Sequence, residues 1–177
     1  MRKIVYYVAS SLDGFIAGPG DDISDFVQQG DGVTQYLEDL QSFDTVIMGR
    51  KTYEFGYQYG LIPGQPAYPH MNHFIFSNSL VIEHLHEKVH IKKIDRNFIL
   101  ELKQQEGTDI YLCGGGQFAG WLFNEGLIDQ LKIKLNPIIL GKGISLFSDV
   151  KKTYHLALKD NKSFPSGMQI ISYDVLY

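Results

Sequence analysis

The stretch Ile110-Tyr-Leu-Cys-Gly-Gly-Gly-Gln-Phe118 decides how this chain folds. A short apolar run ends in three glycines, and a helical pattern of Phe118, Trp121 and Leu122 begins at once. Glycines at that junction leave no Cβ between the backbone and a ligand. The residues after them present unpaired N–H groups at a helix start, where a phosphate is favoured. The spacing is not the G-x-G-x-x-G of a Rossmann turn, so the triplet alone reads equally well as a bare strand-to-helix turn. A second segment, Val46-Ile-Met-Gly-Arg-Lys-Thr-Tyr53, repeats the order of buried strand, glycine and helix start. Its Arg50 offers a phosphate a bidentate fork, Lys51 adds charge and Thr52 a hydroxyl. Basic residues at a helix start oppose the helix dipole, and a bound anion would offset that.

Outward from these two turns, strands alternate with helices. Residues 4–9 form an almost continuous apolar run, the pattern of a strand buried on both faces. Ser10-Ser-Leu-Asp-Gly14 is a turn cluster, in which Asp13 reads as a turn former. The spacing predicts a helix over 33–41, with Val33, Tyr36, Leu37 and Leu40 on one stripe. Short strands are predicted at 45–48, 73–76 and 89–92, and a helix at 97–105. Residues 56–71 hold three prolines and three glycines and read as a loop. Leu131, Ile133 and Leu135 alternate with Lys132 and Lys134, as in a strand with unlike faces; Lys134 reads as snorkelling to the surface, with the substrate side as the other reading. Two strands around Phe164-Pro-Ser-Gly167 make a closing antiparallel hairpin. The expected class is α/β, in one domain over 1–177, with a mixed, mostly parallel central sheet and an antiparallel C-terminal edge.

The composition is that of an ordinary globular protein, with 44% hydrophobic and 20% charged residues. A net charge of −4 argues against a nucleic-acid or anionic-membrane partner. No run approaches the ~20 apolar residues of a membrane span. The single cysteine, Cys113, permits no internal disulfide and fits the cytoplasm. It reads as packing, since nothing beside it in sequence activates it. His84, His86 and His90 lack a third ligand at firm spacing, so no metal is expected.

Three segments in order, Ile47-Met-Gly-Arg-Lys-Thr-Tyr-Glu54, Phe74-Ile-Phe-Ser77 and Leu112-Cys-Gly-Gly-Gly-Gln117, resemble the cofactor-binding segments of the dihydrofolate reductase fold. Ser11-Leu-Asp-Gly14, Gly126-Leu-Ile-Asp129 and Pro137-Ile-Ile-Leu-Gly-Lys-Gly143 with Leu146-Phe147 resemble the related reductase domain of bacterial riboflavin biosynthesis, the RibD C-terminal domain. The resemblance covers nearly the whole chain. It implies a three-layer fold of the dihydrofolate reductase type that binds NADPH across the C-terminal edge of the sheet. Ala9 and Ile16 would flank the nicotinamide. Gly49, Arg50, Lys51 and Thr52 would hold the phosphates from one side. Gly114, Gly115, Gly116, Gln117 and Phe118 would hold them from the other. Ser77 and Asn78 would lie near the adenosine ribose. A cis peptide between Gly114 and Gly115 is also implied, as is a homodimer. By the same analogy Tyr7, Val33, Leu37, Phe55 and Cys113 would line a mostly apolar substrate pocket.

The chain departs from both patterns where substrates are chosen. Folate reductases carry an acid on the first helix, and that place falls on Val33. Riboflavin-pathway reductases carry an Asp-Asp-Pro segment where this chain reads Glu54-Phe-Gly-Tyr57. The resemblance therefore implies an NADPH-dependent reductase that passes a hydride to a small pterin- or pyrimidine-like molecule. Two alternatives stand beside it: 5-amino-6-(5-phosphoribosylamino)uracil reductase, and a nucleotide-binding module without catalysis.

Overall fold

Apolar runs too short to bury a helix build the centre of the molecule. A computed structural model describes all 177 residues. Its strands are β1 (Ile4–Ser10), β2 (Phe15–Ala17), β3 (Thr45–Gly49), β4 (Asn72–Phe76), β5 (Val89–Lys92), β6 (Ile110–Gly114), β7 (Gln130–Leu135), β8 (Ile144–Ser145), β9 (His155–Ser163) and β10 (Gln169–Leu176). Its helices are α1 (Asp31–Leu40), α2 (Arg50–Phe55), α3 (Arg96–Gln104) and α4 (Gly116–Asn124). Eight strands form one sheet in the order β5-β4-β3-β6-β1-β7-β10-β9, and β2 pairs with β8 apart from it. The pairings from β5 across to β7 are parallel, and those of β10 with β7 and β9 are antiparallel.

Alternation along each strand divides the core into two layers. Ile4 and Tyr6 of β1 and Ile47 of β3 face α3 and α4, with Ile99, Leu102, Phe118 and Leu122. Val5, Tyr7, Val46 and Met48 face the other way, toward Leu40 of α1 and Tyr53 of α2. The result is a three-layer sandwich of the dihydrofolate reductase type. Helix ends follow local chemistry. The Asp95 carboxylate accepts from the Asn97 N–H at 2.9 Å and caps α3. Gly126, at φ 68°, ends α4, and the Leu127 N–H returns to the Leu122 carbonyl.

Two expectations fail in instructive ways. The buried stripe of α1 is Gly32, Tyr36 and Leu40, not the one that includes Leu37, which is 55% exposed. Gly32 holds the contact position because any side chain there would collide with Met168 and Phe164. The apolar count therefore points one residue off the true face. On β7, Lys134 does not reach the surface. Lys134 is buried at 8% exposure, with Nζ 5.0 Å from the Tyr36 ring centroid. Lys132 Nζ donates to Asp39 of α1 at 2.7 Å and lies 4.7 Å from the Tyr7 ring centroid. The face carrying these lysines is covered by α1, so both faces of β7 are packed.

Candidate functional site

Parallel strands end together, and the loops after them must turn. The C-terminal ends of β1, β3, β4 and β6 open into one cavity of about 940 Å³. Val8 and Ala9 come from β1, Met48 and Gly49 from β3, Phe76 from β4 and Cys113 from β6. Ile16 of β2 and Gly143, Ile144 and Ser145 around β8 close another side. The Asp13 carboxylate holds that side in place. It accepts from the Ser11 hydroxyl at 2.7 Å and from the N–H groups of Leu140 and Gly141 at 3.1 and 2.7 Å. Those bonds hold its carboxyl below the usual range, the Ser11 bond most of all. Asp13 is thus a clamp between two loops.

The two glycine turns lie against each other. A Cβ on Gly49 would sit 3.5 Å from the Phe118 Cβ and 3.9 Å from the Gly114 carbonyl oxygen. Thr52 crosses the gap: its Oγ1 would meet a Cβ on Gly115 at 3.0 Å and one on Gly114 at 3.6 Å. The three glycines of the triplet have three reasons. Gly114 adopts φ 132°, where L side chains are rare, and the Gly114–Gly115 peptide is cis. Gly115 lies under Thr52. Gly116 packs against the Ser145 carbonyl oxygen, which any side chain would strike, and its own carbonyl accepts from the Ser148 N–H at 3.1 Å.

The charges in the wall are few. Arg50 and Lys51 are its basic residues and Asp21 its one carboxylate. Arg50 Nη1 reaches Glu54 at 3.3 Å, an i,i+4 contact with both side chains a third or more exposed. Such a pair contributes little and yields readily to a stronger anion. Tyr53, at the end of the same short helix, is tied down by donating to the Gln65 carbonyl at 2.7 Å and accepting from the Gly64 N–H at 2.9 Å.

Of the residues expected at the cofactor, Ala9, Ile16, Gly49, Arg50, Lys51, Thr52, Ser77, Asn78, Gly115, Gly116, Gln117 and Phe118 all line this cavity. Gly114 lies just behind it. Of the expected substrate wall, Phe55 and Cys113 line the cavity. Tyr7, Val33 and Leu37 do not. Tyr7 is fully buried below, edge-on to Tyr36 with centroids 4.8 Å apart, and its hydroxyl donates to Asp39 at 2.9 Å. Val33 and Leu37 are turned aside because α1 presents the Gly32–Tyr36–Leu40 stripe to the sheet. Among α1 residues only Tyr36 reaches the cavity, so a phenol stands on the helix from which an acid would be expected.

Tyr36 belongs to a cluster that local sequence does not signal. Tyr68 from the loop after α2 and Tyr111 from β6 line the same wall. The Tyr36 and Tyr111 hydroxyls share a hydrogen bond of 2.8 Å, and the Tyr68 hydroxyl lies 3.7 Å from the Cys113 sulfur. Burial pushes all three phenols and the Cys113 thiol above their usual pKa values. They are therefore neutral donors at physiological pH. Asp39 is not an alternative acid for the cavity, since Tyr7, Lys132 and Gln35 occupy its carboxylate. Nowhere does the structure gather three His, Cys, Asp or Glu side chains that could hold a metal ion. No helix is long and apolar enough to cross a membrane.

The model of the RibD C-terminal domain matches residues 2–171. The uncharacterized protein YwjB of Bacillus subtilis (strain 168) is 35% identical over 174 residues, covering 96% of both chains. Among solved structures, a pyrimidine reductase-like protein from Corynebacterium diphtheriae superposes with a TM-score of 0.73 at 16% identity, covering 99% of this chain and 92% of that one. Dihydrofolate reductase from Enterococcus faecalis, complexed with NADP(H), superposes with a TM-score of 0.66 at 13% identity, covering 98% of this chain and 94% of that one. These structures share the fold, and the family model spans nearly every element that builds the cavity. The chain belongs to the RibD C-terminal domain family, on the dihydrofolate reductase fold.

Proposed function

We propose that this protein is an NADPH-dependent reductase that passes a hydride to a small, flat organic acceptor. One observation carries the reading. The Gly49–Thr52 and Gly114–Phe118 turns lie against each other in the wall of a single cavity, which carries Arg50 and Lys51 against one carboxylate, Asp21. Gly49, Arg50, Lys51 and Thr52 would hold the cofactor's phosphates from one turn, and Gly115, Gly116, Gln117 and Phe118 from the other. Ser77 and Asn78 would meet the adenosine end, and Ala9 and Ile16 the nicotinamide. The cofactor supplies the hydride; the protein supplies position and a water-poor wall. The NADP(H) complex of the Enterococcus faecalis enzyme supports the choice of cofactor. Thermal-shift and fluorescence titrations with NADPH test it: a saturable response is expected, and no response at millimolar cofactor contradicts it.

Family membership favours 5-amino-6-(5-phosphoribosylamino)uracil reductase as a second reading. Loss of NADPH absorbance on adding the deaminated ribosylaminopyrimidine phosphate would select it. The absent acid pair at Glu54-Phe-Gly-Tyr57 argues for a different acceptor. A nucleotide-binding module without catalysis would bind NADPH and transfer its hydride to no acceptor. We also propose a homodimer. The all-exposed edge strand β9, with Leu156 and Leu158 bare, supports that assembly. Light scattering at micromolar concentration tests it.

A further inference from the structure

Hydride transfer to a carbonyl carbon leaves negative charge on oxygen, so the reduction needs a proton donor as well as a cofactor. The wall holds no carboxylate near the ends of β1 and β6 that could serve. Asp21, its one acid, comes from the loop after β2. The donors that converge there are phenolic: Tyr36 from α1, Tyr111 from β6 and Tyr68 from the loop after α2. Their arrangement is specific. Tyr36 and Tyr111 share a 2.8 Å hydrogen bond between hydroxyls, so either can pass a proton to the other. Behind Tyr36 lies a buried lysine, whose pKa burial lowers. Lys134 Nζ sits 5.0 Å from the Tyr36 ring centroid, and no carboxylate pairs with it. The neighbouring Lys132 is already neutralised by Asp39. An unpaired ammonium against a phenol ring attracts it in the neutral state and attracts a phenolate far more strongly.

Resting on the reductase reading, we propose that Tyr36, coupled to Tyr111 and backed by Lys134, is the proton donor of this site, and that the acceptor is a flat, uncharged carbonyl compound. The step balances. The acceptor carbon takes a hydride and its electron pair from the reduced nicotinamide. The C=O π bond breaks, and its oxygen takes the Tyr36 proton to become a hydroxyl. The acceptor is reduced and the nicotinamide oxidised. Solvent entering as the product leaves returns a proton to Tyr36. The class of acceptor follows from the same wall. A protonated heterocycle would be drawn to a carboxylate, and the wall's one acid, Asp21, comes from the loop after β2 and not from the tyrosine cluster. A carbonyl oxygen suits neutral hydroxyl donors set among Met48, Val8 and Phe55. Burial keeps the phenols protonated until charge develops on the acceptor oxygen. Tyr36 is the catalytic residue of the proposal, and Lys134 is a positioning residue acting through it.

The test uses the full chain with 9,10-phenanthrenequinone as the probe, under anaerobic conditions. Calorimetry measures NADPH and quinone affinity separately, and absorbance follows NADPH oxidation. Wild-type protein is expected to bind both and to turn over. Tyr36→Phe should keep NADPH affinity, weaken quinone binding about tenfold and lower kcat at least ~100-fold. Tyr111→Phe should lower kcat in the same direction by less. Lys134→Met should lower kcat with both affinities unchanged, and Lys134→Arg should restore much of it. Tyr36→Phe turning over at the wild-type rate would overturn the donor, as would Tyr111→Phe doing so where Tyr36→Phe does not fold. Wild-type protein that binds NADPH yet neither binds nor reduces the quinone would overturn the acceptor class. A wild-type protein that does not bind NADPH fails earlier, and that failure belongs to the reductase reading on which this one stands. Thermal midpoints show which variants are folded.

Discussion

At the scale of single residues, small differences in contact decide what a position tolerates. Gly120 lies in α4, where helix propensity alone favours alanine by about 1 kcal/mol. A Cβ there would strike the Ser148 carbonyl oxygen, which is backbone and cannot swing away. The clash outweighs the propensity, and Gly120→Ala should destabilise the protein by about 1–3 kcal/mol in urea unfolding. His73 makes a different prediction. It is fully buried, accepts from the Tyr68 N–H at Nε2 (3.1 Å) and places Nδ1 3.1 Å from the Met71 carbonyl. The neutral Nδ1–H tautomer satisfies both partners, and a second proton would break the bond to Tyr68. Burial lowers its pKa from 6.5 to about 4. A folded-state pKa below the unfolded one gives stability that is full above pH 6.5 and is lost as pH falls toward 4. The loss from this group is on the order of 3 kcal/mol. Replacing His73 by Gln should flatten the stability profile between pH 7 and pH 4.5, as read by denaturant midpoints. An unchanged slope would remove His73 from that role.

At the scale of elements, legibility followed from how local the signal was. The strands around residues 4–9, 45–48 and 110–114 were legible as apolar runs because both faces are buried. The two strand-glycine-helix turns were legible because all their parts are adjacent in sequence. Helix α1 was found but rotated by one residue. Its contact position is Gly32, and a glycine adds nothing to a hydrophobic stripe. Leu37 consequently looked buried and is not. Lys134 of β7 misleads for the opposite reason: alternation signals unlike faces, and here Asp39, Tyr7 and Tyr36 cover the polar one. The Tyr36–Tyr68–Tyr111 cluster was invisible because it joins a helix, a loop and a strand far apart in sequence. Helix α2 carries the prediction at this scale. If its Arg50 meets the 2′-phosphate, Arg50→Ala should weaken NADPH more than NADH, by about 1–3 kcal/mol. Calorimetry with both cofactors measures the difference, and equal losses would place Arg50 elsewhere. The mutation also frees Glu54, but that exposed pair contributes little.

At the scale of the whole molecule, a few buried polar contacts fasten the layers that frame the cavity. Asp129, which opens the turn into β7, accepts from the Ile4 N–H and from Lys103 of α3, both at 2.7 Å. Lys103 is buried, and removing its partner would strand a cation in the core. Asp129→Ala should therefore destabilise the chain by about 3 kcal/mol or more in chemical denaturation, whereas replacing Lys103 and Asp129 together by apolar residues should restore much of the loss. On the far side, Arg2 of the N-terminus pairs with Asp44, which also accepts from the Thr108 N–H at 3.0 Å. These contacts hold β1, β3 and β6 in fixed register, so that their C-terminal ends present the two glycine turns to one cavity. Calorimetric titration of the purified protein with NADPH decides whether that convergence makes a cofactor site. One saturable site per chain, weakened by Arg50→Ala, is expected; no measurable binding, or binding indifferent to changes in both turns, would rule the site out.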